Sequence, residues 1–206
     1  IISGHTALYR CFSERIFELC REYSPSVETF LDEAFCDLSG TERLHGNLKS
    51  LACRLREEIF QETGLRVSAG LGPNRMLAKM ATASAKPDGI RALAEGETDS
   101  FLISQPIDRL PGIGPRASKV LTQLNVHTAG DLRKLSRRSL LSIFGKNGGL
   151  FYERCRGEDT RIVNVKEIPR SISRETSFHE HTVNPQVIEG MLSYLGQRAG
   201  NTLRGL

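Results

Sequence analysis

The stretch Val27-Glu-Thr-Phe-Leu-Asp-Glu-Ala-Phe-Cys-Asp-Leu38 decides the fold class. It is short and apolar, with the acidic pair Asp32-Glu33 at its middle. We read it as two strands that meet near that pair, and Ser39-Gly40 breaks the run. Upstream, Leu8, Phe12, Ile16, Leu19 and Tyr23 recur at three- and four-residue steps, which predicts an amphipathic helix from about His5 to Tyr23. Ser24-Pro25 stops it, because proline restricts the residue before it. Downstream, Leu44, Leu48, Leu51, Leu55 and Ile59 predict a helix over about 44–62, closed by Gly64. Val67, Ala69 and Leu71 alternate, which predicts a strand over 66–71. Asn74 stands where an N-cap belongs, before a helix running through Ser84. Lys86-Pro-Asp-Gly89 is a loop and Ile90 to Leu93 a short strand. Helices mixed with strands in this order predict an α+β layer with helices packed on one mixed sheet.

Past Glu95-Gly96 the texture changes. From Thr98 to Gly157 short helical stretches are punctuated by Pro111-Gly112, Gly114-Pro115, Gly145 and Gly148-Gly149, with Thr128 and Ser136 as caps. This predicts a small all-helical domain. Ile162 to Ile168 reads as an extended linker, Arg170 to Thr182 as a strand, and a helix follows from about Pro185. The expected division is therefore 1–95, 96–166 and 167–206. The chain stops at Leu206 within a helical pattern and opens on Ile1 rather than methionine, so it reads as a piece of something longer.

Composition narrows the function. The 206 residues are 39% hydrophobic and 25% charged, an ordinary globular mix. No apolar run approaches the ~20 residues of a membrane span, and the first residues lack the features of a signal peptide. The five cysteines are scattered, with neither a Cys-x-x-Cys pair nor a zinc spacing. A disulfide scaffold, a zinc module and a membrane protein are excluded on these grounds, and a reducing cytoplasmic setting fits best. The net charge of +4 is uneven: Asp108 to Gly157 holds ten cations against three anions, +7, which leaves −3 elsewhere. A basic module beside a slightly acidic one points to a polyanion partner.

Three motifs carry chemistry. Adjacent carboxylates at a strand end can share divalent cations, since Mg²⁺ takes oxygen ligands and also holds substrate phosphates; otherwise Asp32 and Glu33 are two solvated acids in a hairpin turn. Leu110-Pro-Gly-Ile-Gly114, followed by the helical Pro115-Arg-Ala-Ser-Lys-Val-Leu121, has the form of a helix-hairpin-helix. Its glycines let backbone approach a phosphate, and amides at the second helix's N-terminus meet the anion. Gly112-x-Gly114-x-x-Ala117 also fits a loose dinucleotide fingerprint, but that needs a preceding strand, and the context here is helical. Lys79 and Lys86 flank a helix of small residues, and Lys86 lies where an ammonium reaches a phosphate; taken alone, both read as solvent lysines. His179-Glu-His181 puts two imidazoles on one strand face without a third ligand, so it reads as exposed polarity.

Together, in this order, these elements resemble the Y-family translesion DNA polymerases of the bacterial polymerase IV or UmuC-like type. Tyr23-Ser-Pro-x-Val-Glu-x-x-Leu-Asp-Glu-Ala-Phe-Cys-Asp-Leu38 resembles their acidic-dyad segment. Val67-x-Ala-Gly-Leu-Gly-x-Asn-Arg-Met-Leu-Ala-Lys79, continuing to Ala85-Lys-Pro-Asp-Gly-Ile90, resembles the strand, helix and loop after it. Leu110 to Gly114 resembles the thumb hairpin, and Arg170-Ser-Ile-Ser-Arg-Glu-Thr176 the entry to the little finger. The resemblance implies part of a palm (1–95), a helical thumb (96–166) and the start of a little-finger domain (167–206). It also implies template-directed synthesis past damaged bases with two Mg²⁺ ions. Asp32 would be a metal ligand, Glu33 would bind the metal near the primer 3′-OH, and Lys86 would hold the incoming triphosphate. Gly112, Ile113, Gly114, Arg116 and Lys119 would contact DNA. The implied partners are primer–template DNA, deoxynucleoside triphosphates and a sliding clamp reached through a further C-terminal segment, with no membrane. The compartment would be the cytoplasm at the nucleoid in a bacterium, or the nucleus in a eukaryote.

Two departures stand out. Family members usually open with an aspartate-bearing strand and a fingers domain, which Ile1 onward does not supply, so the chain by itself is expected to be inactive. Phe30 also stands where the family commonly has serine. The competing readings are a non-catalytic DNA-binding accessory with the polymerase fold, and a metal nuclease built on the same dyad.

Overall fold

Ser26–Thr29 (β1) and Ala34–Asp37 (β2) pair antiparallel, with Val27 opposite Cys36 and Thr29 opposite Ala34. The two strands do meet at the acidic pair. The computed structural model describes residues 4–94, 96–163 and 171–205. Ahead of the hairpin, Thr6–Tyr23 (α1) buries Phe17, Leu19 and Cys20, whereas Leu8, Tyr9 and Phe12 in its first turns stay exposed.

The single helix expected over 44–62 is two helices. Glu42–His45 (α2) ends at Gly46, whose φ of +73° a helix cannot accommodate. Asn47 then caps Leu48–Thr63 (α3), its side chain accepting from the amides of Lys49 and Ser50 at 2.9 and 3.1 Å. The next strand is shorter than expected. Ala69–Leu71 (β3) lies parallel to Ile90–Ala92 (β4), and residues 66–68 stay outside the ladder. Arg56 donates to the Val67 carbonyl at 2.7 Å, so that acceptor is satisfied by a guanidinium instead of a strand. Between β3 and β4 runs Arg75–Ser84 (α4), capped by Asn74 as its sequence predicts, with Leu77 N–H donating to the Asn74 side chain at 3.0 Å. Gly70 is where β3 crosses α4, because a Cβ there would run into the backbone of Ala78 and Thr82. The class is α+β. Among the described residues the strands form two separate ladders, one antiparallel and one parallel, not a single sheet.

The helical module follows as Glu97–Ile103 (α5), a single 3-10 turn at Ile107–Arg109, Pro115–Gln123 (α6), Ala129–Arg133 (α7), Arg137–Phe144 (α8) and Lys146–Arg154 (α9). Thr128 and Asp131 form a reciprocal capping box on α7, and Ser136 caps α8. The core does not stop at the 95/96 division drawn on composition. Met76, Leu77 and Met80 of α4 share one apolar cluster with Leu102, Leu110, Leu121, Leu132, Leu140 and Phe151. The link is also polar. The Asn74 amide donates to the Gly157 carbonyl at 2.8 Å, and Asp159 accepts from the Met76 amide at 3.1 Å.

Contacts divide the chain into two units, Ile1–Val165 and Lys166–Leu206. In the second, Asn184 caps the long helix Pro185–Arg204 (α10). The strand expected over 170–182 is absent: residues 171–182 have no ladder partner among the described residues, and an isolated strand leaves its amides unsatisfied. His179 and His181 therefore share no strand face. Residue 170 and most of the expected linker, 164–168, lie outside the described residues. No helix among the described residues is long and apolar enough to cross a membrane.

Candidate active site and nucleic-acid interface

The β1–β2 turn presents the acidic pair. The Phe30 amide donates to the Glu33 carbonyl at 2.8 Å and closes the turn, while the Ser13 hydroxyl on α1 donates to the Leu31 carbonyl. Asp32 is exposed and Glu33 half-buried, so the apolar neighbours in sequence do not enclose the dyad. Below it, Phe35 stands edge-on to Phe30, with centroids 6.2 Å apart and planes at 87°. The Arg75 guanidinium covers Phe35 at 4.5 Å and pairs with Glu28 at 3.0 Å. Both Glu28 Oε2 and Arg75 Nε are buried without a partner among the described residues. Phe30 itself is 46% exposed, an aromatic face presented to solvent beside the carboxylates.

Lys79, one of the two lysines that sequence alone makes solvent residues, reaches the dyad. Its ammonium donates to both carboxylate oxygens of Glu33, at 2.7 and 2.6 Å. Lys86 stays exposed in the loop after α4 and has no ion pair among the described residues. Its neighbour Asp88 is taken by Arg56 and, at 2.9 Å, by Arg66. Asp32, Glu33, Lys79 and Lys86 line one open groove of about 1720 Å³, along with Asn74, Arg75, Asp159 and Arg161. Among the described residues no three His, Cys, Asp or Glu side chains converge on a metal position. The adjacent oxygen donors nonetheless suit part of a Mg²⁺ ligand set, since that ion usually takes one or two carboxylates and completes its shell with water and phosphate.

The hairpin of the helical module is built differently at each residue. Leu110 and Ile113 are buried, so Ile113 can offer a ligand only its backbone. Gly112 has φ +97°, and a Cβ there would collide with the Arg154 guanidinium. Arg154 is 7% exposed and donates to the Pro111 carbonyl; burial pushes its guanidinium below the ordinary value. Gly114 has ordinary extended backbone and open space where a side chain would go. It caps α6 without a side-chain hydrogen bond, so the first amides of this helix are free to meet an anion. Arg116 and Lys119 are exposed on the same helix.

The charge count for Asp108 to Gly157 changes in three dimensions. Arg133 pairs with Asp99 at 2.8 Å, Lys134 with Asp131 at 2.9 Å and Arg137 with Glu153 at 3.8 Å. Arg156 stacks 3.5 Å over the Tyr152 ring, and Arg154 supports the hairpin from inside. Arg109, Arg116, Lys119, Arg138 and Lys146 remain exposed and unpaired among the described residues. Composition showed ten cations; the fold turns Arg133, Arg154 and Arg156 inward and leaves seven exposed, with Lys134 and Arg137 among them in surface ion pairs.

Comparison with known proteins accounts for this combination. Residues 1–83 match the impB/mucB/samB family, and residues 108–159 match the DNA polymerase-iota thumb domain. DNA polymerase IV of Desulfatibacillum aliphaticivorans is 35% identical over 96% of this chain and 50% of its own length. DNA polymerase IV of Caulobacter vibrioides is 35% identical over 99% and 51%. Among solved structures, a Y-family DNA polymerase chimera superposes with a TM-score of 0.86 at 27% identity, covering 96% of this chain and 58% of that one. An insertion ternary complex of Dbh DNA polymerase gives 0.75 at 27%, with the same coverage. In sequence and in fold the chain is similar to the Y-family DNA polymerases. It spans about half the length of the curated relatives it matches.

Proposed function

We propose that this chain supplies the acidic dyad and the DNA-gripping module of a polymerase that copies past damaged template bases. The observation that carries the reading is the β1–β2 turn: two adjacent carboxylates face a groove that also holds two lysines, in a unit whose core is continuous with an uncapped helix-hairpin-helix. The ternary-complex neighbour supports primer–template DNA and deoxynucleoside triphosphates as ligands. A sliding clamp as a further partner remains part of the proposal by family resemblance alone.

Asp32 and Glu33 would hold Mg²⁺, two ions in the whole enzyme, which supplies charge neutralisation at the transferring phosphoryl group. The side chains then have separable work. Asp32, exposed at the turn, would be one metal ligand, and Glu33 would hold the metal near the primer 3′-OH. Lys86, with no carboxylate partner among the described residues, would steady the triphosphate as a point charge. Phosphoryl transfer consists mainly of positioning and charge stabilisation, which is what such a set provides. The α6 amides with Arg116 and Lys119 would hold duplex phosphates and carry no sequence preference.

The test is primer extension by the natural polypeptide that carries this sequence, at its full length, with Mg²⁺ and all four nucleotides. Asp32→Ala and Glu33→Ala should each lower the extension rate by about 10²- to 10³-fold, as loss of a transition-state charge stabiliser does, with DNA affinity unchanged. Extension within a few-fold of the parent for Glu33→Ala removes the assigned role. Shortening of the primer instead of extension identifies a nuclease, and neither activity in the parent identifies an accessory protein.

A further inference from the structure

Glu33 and Asp32 are neighbours in sequence, but the fold treats them differently. Asp32 has no ion pair among the described residues, whereas both oxygens of Glu33 accept from Lys79. Lys79 comes from α4, whose Met76, Leu77, Met80 and Ala81 are buried in the core. The ammonium is thus tethered to a rigid helix, and the carboxylate it holds lies on a turn. A single cation shared between the two oxygens of a carboxylate takes the approach that a metal ion would use. It also relieves the repulsion between two adjacent acids.

We propose that Lys79 is a positioning residue: its ammonium holds Glu33 in place of a divalent cation, and the cation displaces it on binding. This rests on the dyad being a metal site. The pair is suited to exchange. Its side chains are 46% and 42% exposed, so water screens the attraction and it is weak. A lysine is a point charge on a flexible stem, and it can swing away without moving the backbone of α4. A divalent cation with oxygen ligands on two sides outcompetes it. The displaced ammonium stays within one side chain's reach of Glu33, where it faces the negative charge of any phosphate brought to the dyad.

Mn²⁺, a paramagnetic stand-in for Mg²⁺, is titrated into the 206-residue chain and followed by electron paramagnetic resonance. Lys79→Met should bind Mn²⁺ about two- to five-fold more tightly than the parent, the range that the strength of an exposed ion pair corresponds to. Lys79→Gln should do the same and stands in if the Met variant misfolds by circular dichroism. Lys79→Arg keeps the competing charge and should stay near the parent. Lys86→Met removes a like charge from the same groove without touching Glu33, and should tighten binding less. No tightening in either neutral Lys79 variant, or an equal tightening in Lys86→Met, overturns the proposal and leaves the dyad reading standing. Mn²⁺ affinity indifferent to Glu33→Gln overturns both.

Discussion

Gly112 and Gly114 stand two residues apart in one hairpin, yet a side chain would meet different surroundings at each. At Gly112 the backbone is left-handed and Arg154 fills the space, so Gly112→Val should destabilise the folded chain by roughly 1–3 kcal/mol. Urea unfolding checks this, and a midpoint equal to the parent's would mean that the loop relaxes freely. At Gly114 no described residue lies within 4 Å of where a Cβ would stand, so Gly114→Val should unfold close to the parent. It should still weaken duplex binding, equally for unrelated sequences, because the added isopropyl group stands between the α6 amides and a phosphate. Anisotropy with two unrelated duplexes measures it; unchanged affinity would make the hairpin a structural turn only. The motif letters show that glycines are needed here without telling which one serves the fold. That depends on Arg154, some forty residues away in sequence and buried beneath the loop. The contact between Lys79 and Glu33 is illegible for the same reason: it spans 46 residues and leaves no local pattern.

At the scale of elements, the N-terminus of α4 joins the two halves of the first unit. Asn74 works in both directions, its carbonyl oxygen capping α4 and its amide reaching Gly157. Asn74→Ala should cost about 1 kcal/mol for the cap alone. Asn74→Asp keeps the cap but has no donor for the Gly157 carbonyl, so it too should fall below the parent in urea; parent-like stability would show that the second bond contributes nothing. Asp159 adds a pH dependence. Burial would raise its carboxyl, but hydrogen bonds from Arg161 at 2.7 Å prevail and hold it below the usual carboxylate range. A carboxyl lowered by folding stabilises above its unfolded value, near 4, and that contribution fades as pH drops through the lower folded value. Asp159→Asn should therefore be less stable at neutral pH and show a flatter loss of stability in acid. An acid limb as steep as the parent's would place the titration elsewhere. The cap at Asn74 was legible because it is local chemistry. The break between α2 and α3 was not, because Leu44, Leu48, Leu51, Leu55 and Ile59 keep helical spacing straight through Gly46-Asn47. The strand expected over 170–182 finds no ladder partner among residues 171–182, because strand pairing is a non-local contact that a short stretch of sequence does not record.

Over the whole molecule, charge is where sequence and fold differ most in consequence. If all ten cations between Asp108 and Gly157 met phosphates, this segment would contribute about −9 to the slope of log affinity against log salt, at about −0.9 per phosphate neutralised. Three of them, Arg133, Arg154 and Arg156, are turned toward a carboxylate, backbone carbonyls or an aromatic ring. The seven exposed cations therefore cap the segment's contribution at about −6.3. Arg116→Ala and Lys119→Ala should each make the measured slope shallower by about 0.9 on any duplex sequence. Arg133→Gln and Arg156→Gln should lower stability, because each strips donors from buried carbonyls, yet leave the slope alone. Salt titrations of duplex binding on the parent and these four variants decide the matter. A slope unmoved by Arg116→Ala and Lys119→Ala would take α6 out of the DNA interface. A slope made shallower by Arg133→Gln or Arg156→Gln would mean that the inward cations open toward DNA on binding, and that the thumb grips with more charge than its resting fold displays.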